Sequence, residues 1–186
     1  MHHLCNTIPR DKSTPLIHVR DERQRYGCEV GSGKFCVAID DGGLQLFSAS
    51  TSQLRQVAIL EAKRGFERNT HGSPILTDHV LAQIAGEVLA LKRNAEYNIA
   101  RDDFVVILAI AQRLNFLHFR ITDDLIAEFE TEDLMASDRT IPIAGQGFLR
   151  MDSTGWPDLK HGDHRREAVM HILALMSWAD KLASQE

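Results

Sequence analysis

Eight consecutive apolar residues, Phe104 to Ala111, set the tightest constraint on this chain of 186 residues. The run is apolar on every side, so the element that carries it must be covered all round and sit in the middle of a core. It is too short to cross a bilayer. Phe104, Ile107, Leu108, Ala111, Leu114, Leu117 and Ile121 keep helical spacing for about five turns, which predicts a helix starting at Asp102-Asp103. A buried strand is the competing reading, because Val105 to Ile110 is rich in β-branched residues.

Upstream, residues 24–49 alternate. Tyr26, Cys28 and Val30 form one apolar set, and Phe35, Val37 and Ile39 another. A two-residue turn within Gly31-Ser32-Gly33, then a turn at Asp41-Gly42 leading to Leu44 and Leu46, predicts a three-stranded meander with all these residues on one core face. That parity sends Cys28 and Cys36 to opposite faces, which argues against a disulfide between them. Gly31-Ser32-Gly33-Lys34 lacks the first glycine and the following Ser or Thr of a phosphate-binding loop, and reads as a hairpin turn.

From Ser52 the spacing becomes helical, with Leu54, Val57, Ala58, Ala62 and Phe66 on one stripe. A second helix is expected from Thr77 or Asp78. A further one follows a Thr122 cap, and a last one runs from Asp163 to Ala183 with Ala168, Ile172, Leu175, Met176 and Ala179 as its seam. Ile141–Ile143 and Phe148–Met151 suggest a short hairpin around Gly145-Gln146-Gly147. The fold class expected is α+β: a small antiparallel three-stranded meander packed on a mainly helical body with a long C-terminal helix. Residues 1–22 read as a flexible arm, with Leu16, Ile17 and Val19 as a short edge strand, and residues 23–186 as a single domain.

A net charge of −5 argues against a protein that coats nucleic acid or an anionic membrane. Three cysteines suit a reducing compartment, and the first residues carry no secretory pattern, so a cytoplasmic protein is expected.

Nine histidines are present. His161-Gly162-Asp163-His164 puts three potential ligands in four residues at a helix start, with Glu167 and His171 following on the same side. His161, Asp163, His164 and His171 are therefore the candidate metal ligands, joined by another His such as His71 or His79 from the helical body. Such a set would hold a divalent transition metal that activates water for hydrolysis. No cofactor motif is visible.

Arg113 and His118, at Arg-x4-His spacing, resemble the catalytic pair of the HEPN ribonucleases. That resemblance implies an all-helical bundle cleaving RNA without metal. The β-rich stretch departs from this pattern, and a resemblance of two residues is not adopted. Residues 107–129 fit a helix-turn-helix by spacing, but Asp123, Asp124 and Glu128 give the reading helix the wrong sign for phosphate.

The stretch from Thr122 to Asp138 holds seven acids and no base. Asp123, Asp124 and Glu128 could dock a basic partner. Trp156 in its polar loop is a candidate anchor. Cys36 and Phe47, with Ala38 and Ala49, form a second sheet face that needs a cover. The leading expectation is a cytoplasmic binding or regulatory protein that acts on a protein partner or on a second copy of itself. A metal-dependent hydrolase and a helix-turn-helix nucleic-acid binder are the alternatives.

Overall fold

The computed structural model describes residues 16–30, 34–48, 53–65, 69–70, 73–94, 98–131 and 149–184. In chain order they form β1 (Leu16–Arg20), β2 (Gln24–Val30), β3 (Lys34–Asp40), β4 (Gly42–Ser48), β5 (Gln53–Lys63), β6 (Asn69–Thr70), β7 (Ser73–Pro74), α1 (Asp78–Arg93), β8 (Asp103–Ile110), β9 (Arg113–Arg120), α2 (Asp123–Thr131), β10 (Arg150–Ser153) and α3 (Gly162–Ala183). The hairpin expected around Gly145 lies largely outside the described residues, as do the Gly31–Gly33 turn and His71.

The molecule is mostly sheet, which corrects the expectation of a mainly helical body. Six strands form one mixed sheet in the order β1-β4-β5-β8-β9-β10. All neighbours are antiparallel except β5 and β8. Parallel neighbours need a crossover, and α1 lies within it. One face of the sheet packs on α1 and on Tyr26 and Ala38 of the separate β2–β3 hairpin. The other face packs on α3 through Ile172, Leu175, Met176, Trp178 and Ala179.

Two physical features explain the helical misreadings. The β4–β5 register slips between Leu44 and Gln45, so Gln56 faces Gln45 and Ala58 faces Leu44. The extra residue puts Val57 and Ala58, consecutive in sequence, into the same core cluster. A bulge therefore imitates helical spacing within a strand. Farther on, the apolar run is β8, with Phe104, Val106, Leu108 and Ile110 towards α1 and Ile107 towards α3. Burial on both faces removes the alternation that would have marked a strand. The turn to β9 is Ala111-Gln112, and Ala111 sits at φ 52°, a conformation usually given to Gly or Asn.

The meander is corrected as well. β3 does not pair with β4; β4 lies between β1 and β5. The β2–β3 register joins Tyr26 to Ala38, Cys28 to Cys36 and Val30 to Lys34. Three residues rather than two separate the paired ends, which flips the parity of one strand. Tyr26 and Ala38 are thus buried, Phe35, Val37 and Ile39 are exposed, and the two cysteines are direct cross-strand neighbours in register.

The other elements follow their signals. Thr77 caps α1, its Oγ1 accepting from Val80 N at 3.5 Å. Thr122 Oγ1 accepts from Leu125 N at 3.3 Å and caps α2. Leu16, Ile17 and Val19 fall on β1, at the sheet edge.

The positive φ at Ala111 generates a test. Ala111→Gly should raise stability by about 0.5–1 kcal/mol, and Ala111→Val should lower it by at least about 1 kcal/mol. Urea unfolding of both variants measures this.

Candidate functional site

The chain leaves β3 at Asp40 and enters β4 at Gly42 with almost no room to spare. Gly42 has φ +153°, and a Cβ there would lie 2.7 Å from the Arg20 carbonyl oxygen. A Cβ on Gly43 would lie 2.3 Å from the Ala58 carbonyl oxygen. Only glycine lets β4 press against β1 and β5 here. The close approach fixes Asp41 beside the C-terminal end of β5. Asp41 N donates to the Leu60 carbonyl at 2.9 Å, and Ala62 N donates to Asp41 Oδ2 at 3.1 Å.

Beyond the bulge, alternation puts Glu61 and Lys63 on the α1 side of β5. On α1, Gln83 and Glu87 are one turn apart and share a face. Strand and helix meet through these four side chains. Lys63 Nζ lies 2.7 Å from Glu61 Oε1 and donates to Gln83 Oε1 at 2.6 Å. Gln83 Nε2 donates to Glu61 Oε1 at 2.8 Å and to Glu87 Oε1 at 2.9 Å. A cleft of about 320 Å³ opens here, lined by Arg23, Ile39, Asp41, Glu61, Lys63 and Gln83. It lies at the carboxyl end of β5, where β5 runs parallel to β8.

The charges around this cleft do not balance. Asp40, Glu61 and Glu87 are each at most 2% exposed. Asp40 is held by Arg20 at 2.6 Å and by the Tyr26 hydroxyl at 2.7 Å. Burial, the donated hydrogen bond and the Asp40 charge together push the Tyr26 hydroxyl well above its ordinary range. Lys63 serves Glu61. Glu87 is left over: its Oε2 is buried with no hydrogen-bond partner. Burial raises the Glu87 carboxyl from 4.5 to about 7, the Gln83 bond works against this, and the charges of Glu61 and Asp40 add to it.

The residues singled out from sequence fall elsewhere. His161, Asp163 and His164 are exposed at the start of α3. The His161 and His164 rings are neighbours at 5.4 Å, and His164 Nδ1 accepts from Asp158 N at 3.2 Å. His171 lies farther along α3, with its ring 4.9 Å from Phe116. His79 is exposed at the start of α1. Among the described residues no three His, Cys, Asp or Glu side chains form a group that could hold a metal by themselves.

Trp156 packs half-buried against the core on the α1 side. Phe47 is 37% exposed on β4. The side chains of Cys36 and Glu128 lie outside the described residues. Asp124 is exposed, whereas Asp123 pairs with Lys92 at 2.8 Å and with Arg101. Those two bonds hold the Asp123 carboxyl below its usual range.

Sequence reasoning missed Asp41, Glu61, Lys63 and Gln83. Glu61 and Lys63 share a face only on a strand, and the bulge had disguised that strand as a helix. Comparison with protein-family models, with curated proteins and with solved structures gives no match.

The raised Glu87 carboxyl has a pH signature. Between about pH 4.5 and 7 the unfolded chain loses this proton while the folded chain keeps it, so stability falls as pH rises. Above 7 both states are ionised and the full penalty, about 3 kcal/mol, persists. Glu87→Gln should be about 2–3 kcal/mol more stable than wild type at pH 8, and the advantage should shrink below about 1 kcal/mol at pH 5. Denaturant unfolding at the two pH values reads this directly.

Proposed function

We propose that the Asp41, Glu61, Lys63 and Gln83 cleft is the active site of a divalent-cation-dependent phosphodiester hydrolase acting on nucleic acid strands. The observation that carries this reading is the Glu61–Lys63 pair on β5, set beside Asp41 in one cleft, with the buried Glu87 and its unpartnered Oε2 behind Gln83. A hard cation such as Mg²⁺ needs only one or two carboxylates, taking its other ligands from water and phosphate. Asp41 and Glu61 would supply them. The lack of a three-residue protein cage among the described residues is therefore compatible with the site.

The bound ion would polarise a phosphoryl oxygen and stabilise the charge that develops on it. Lys63 has its ammonium beside Glu61, where it can hold a water or donate to a phosphoryl oxygen in transit. Gln83 fixes both side chains: its carbonyl oxygen holds Lys63 and its amide nitrogen holds Glu61. Arg23 pairs with Asp41 at 2.9 Å at the mouth, and a bound cation would take its place and leave it, with the exposed Arg64 just past β5, to meet the neighbouring phosphates of a strand. The acidity of the whole chain is no obstacle, since the ion itself supplies positive charge at the reacting group.

The test is hydrolysis of bis(p-nitrophenyl) phosphate and of fluorescent oligonucleotides with Mg²⁺, with Mn²⁺ and with EDTA. Cleavage should require the cation. Asp41→Asn, Glu61→Gln and Lys63→Met should each lower the rate by at least about 100-fold. Cation-independent cleavage, or full activity in these variants, would remove the reading.

Self-association is a second reading, supported by the exposed Val169, Met170 and Leu173 on α3. Sedimentation equilibrium should then show a dimer that Met170→Glu combined with Leu173→Glu converts to monomer.

A further inference from the structure

A larger cleft, about 540 Å³, lies on the opposite face of the main sheet, between β9, β10 and α3. Its size is that of a small-molecule site. The wall is apolar and aromatic, built by Val105, Phe116, Leu175 and Trp178. The His171 ring closes against Phe116 at 4.9 Å.

The mouth is different. The register sets His118 opposite Val105 on β8 and opposite Asp152 on β10. Alternation therefore places Asp103, His118 and Asp152 on the α3 side of the sheet together. His118 Nε2 lies 2.9 Å from Asp103 Oδ1, and both side chains remain about two-fifths exposed. Asp152 meets Arg150 at 3.3 Å, but both groups stand well out in water, so that pair is readily exchanged. Beyond β10 the chain is pinned by two bonds: Thr154 N donates to the Phe116 carbonyl, and Phe116 N donates to Thr154 Oγ1, both at 3.1 Å. The mouth is thus attached to fixed backbone, as a preformed site requires.

We propose that this cleft binds a small organic cation. Its aromatic or aliphatic body would lie against Phe116, Leu175 and Trp178. Its amidinium, guanidinium or ammonium head would sit between Asp103 and Asp152. The apolar and aromatic wall favours the body of such a ligand, and two carboxylates at the rim select the sign of its head. His118 holds Asp103 in place at one side of the head. The cleft does not share a side chain with the Asp41–Glu61 site and needs no metal, so the two proposals stand or fall separately.

The chain has two tryptophans, and only Trp178 lines this cleft. A Trp156→Phe protein therefore reports on it alone. Its fluorescence would be titrated in EDTA with benzamidine, with neutral benzamide and with benzoate. Saturable quenching by benzamidine is expected, with benzamide at least about fivefold weaker and benzoate silent. Asp103→Asn and Asp152→Asn, conservative changes at exposed positions, should each weaken benzamidine about five- to tenfold, and Asp124→Asn on α2 should not. Circular dichroism would confirm that each variant is folded. Equal binding of benzamidine and benzamide, unchanged binding in both Asp variants, or no saturation at all would overturn the proposal.

Discussion

The parallel pairing of β5 with β8 is the join on which everything else depends. It unites segments distant in sequence, from Ile59↔Val106 to Lys63↔Ile110. Parallel neighbours cannot be joined by a tight turn, so the chain must leave the sheet, and α1 covers the face it crosses. That cover buries Ile59, Val106 and Leu108 beneath Val80, Ile84 and Val88. It also brings the polar end of β5 against the first turns of α1, so Glu61 and Lys63 meet Gln83 and Glu87. The same contact that completes the core therefore assembles the charged cleft.

That charged group is costly for the fold. Three buried carboxylates stand against the cations of Arg20 and Lys63, and the carboxylate with an orphaned oxygen is the one whose proton affinity rises. A protein selected only for stability would place an apolar residue or a glutamine at position 87. A buried carboxyl perturbed by burial and like charge beside a cleft is what makes this region a candidate site. The cluster around Lys92 offers the contrast: Lys92 is 3% exposed, and Asp102 and Asp123 both reach it from positions open to solvent, where their remaining oxygens can be hydrated.

Legibility in the sequence followed the locality of each signal. The helix starts at Thr77 and Thr122 were readable because a cap is a matter of three or four neighbouring residues. The C-terminal helix was readable because its seam from Ala168 to Ala179 faces one partner, the sheet. The edge strand at Leu16 was readable for the same local reason. The sheet itself was not, and two devices hid it. A bulge placed Val57 and Ala58 in one core cluster, and two-sided burial erased alternation from β8. The β8–β9 turn then used Ala111 where a glycine would have announced it. With helical spacing Glu61 and Lys63 point apart, and only on a strand do they share a face. The residues at the His-rich start of α3 are adjacent in sequence, whereas those that line the two clefts are adjacent only after folding.

Net charge is a sum over the whole chain, whereas recognition is local. A sum over 186 residues gives −5, but a phosphate meets a few side chains and whatever ion they hold, not the sum. The alternation of β8 and its neighbours divides the two clefts between opposite faces of one sheet. On the α1 side, the proposed site would set Asp41 and Glu61 beside Gln83 for a compact divalent ion. On the α3 side, Asp103 and Asp152 stand at a rim above an apolar and aromatic wall, and the ligand proposed there is a larger organic cation. On these proposals carboxylates would select different cations according to what lies behind them: polar groups that complete a hard ion's shell, or apolar surface that receives an organic body.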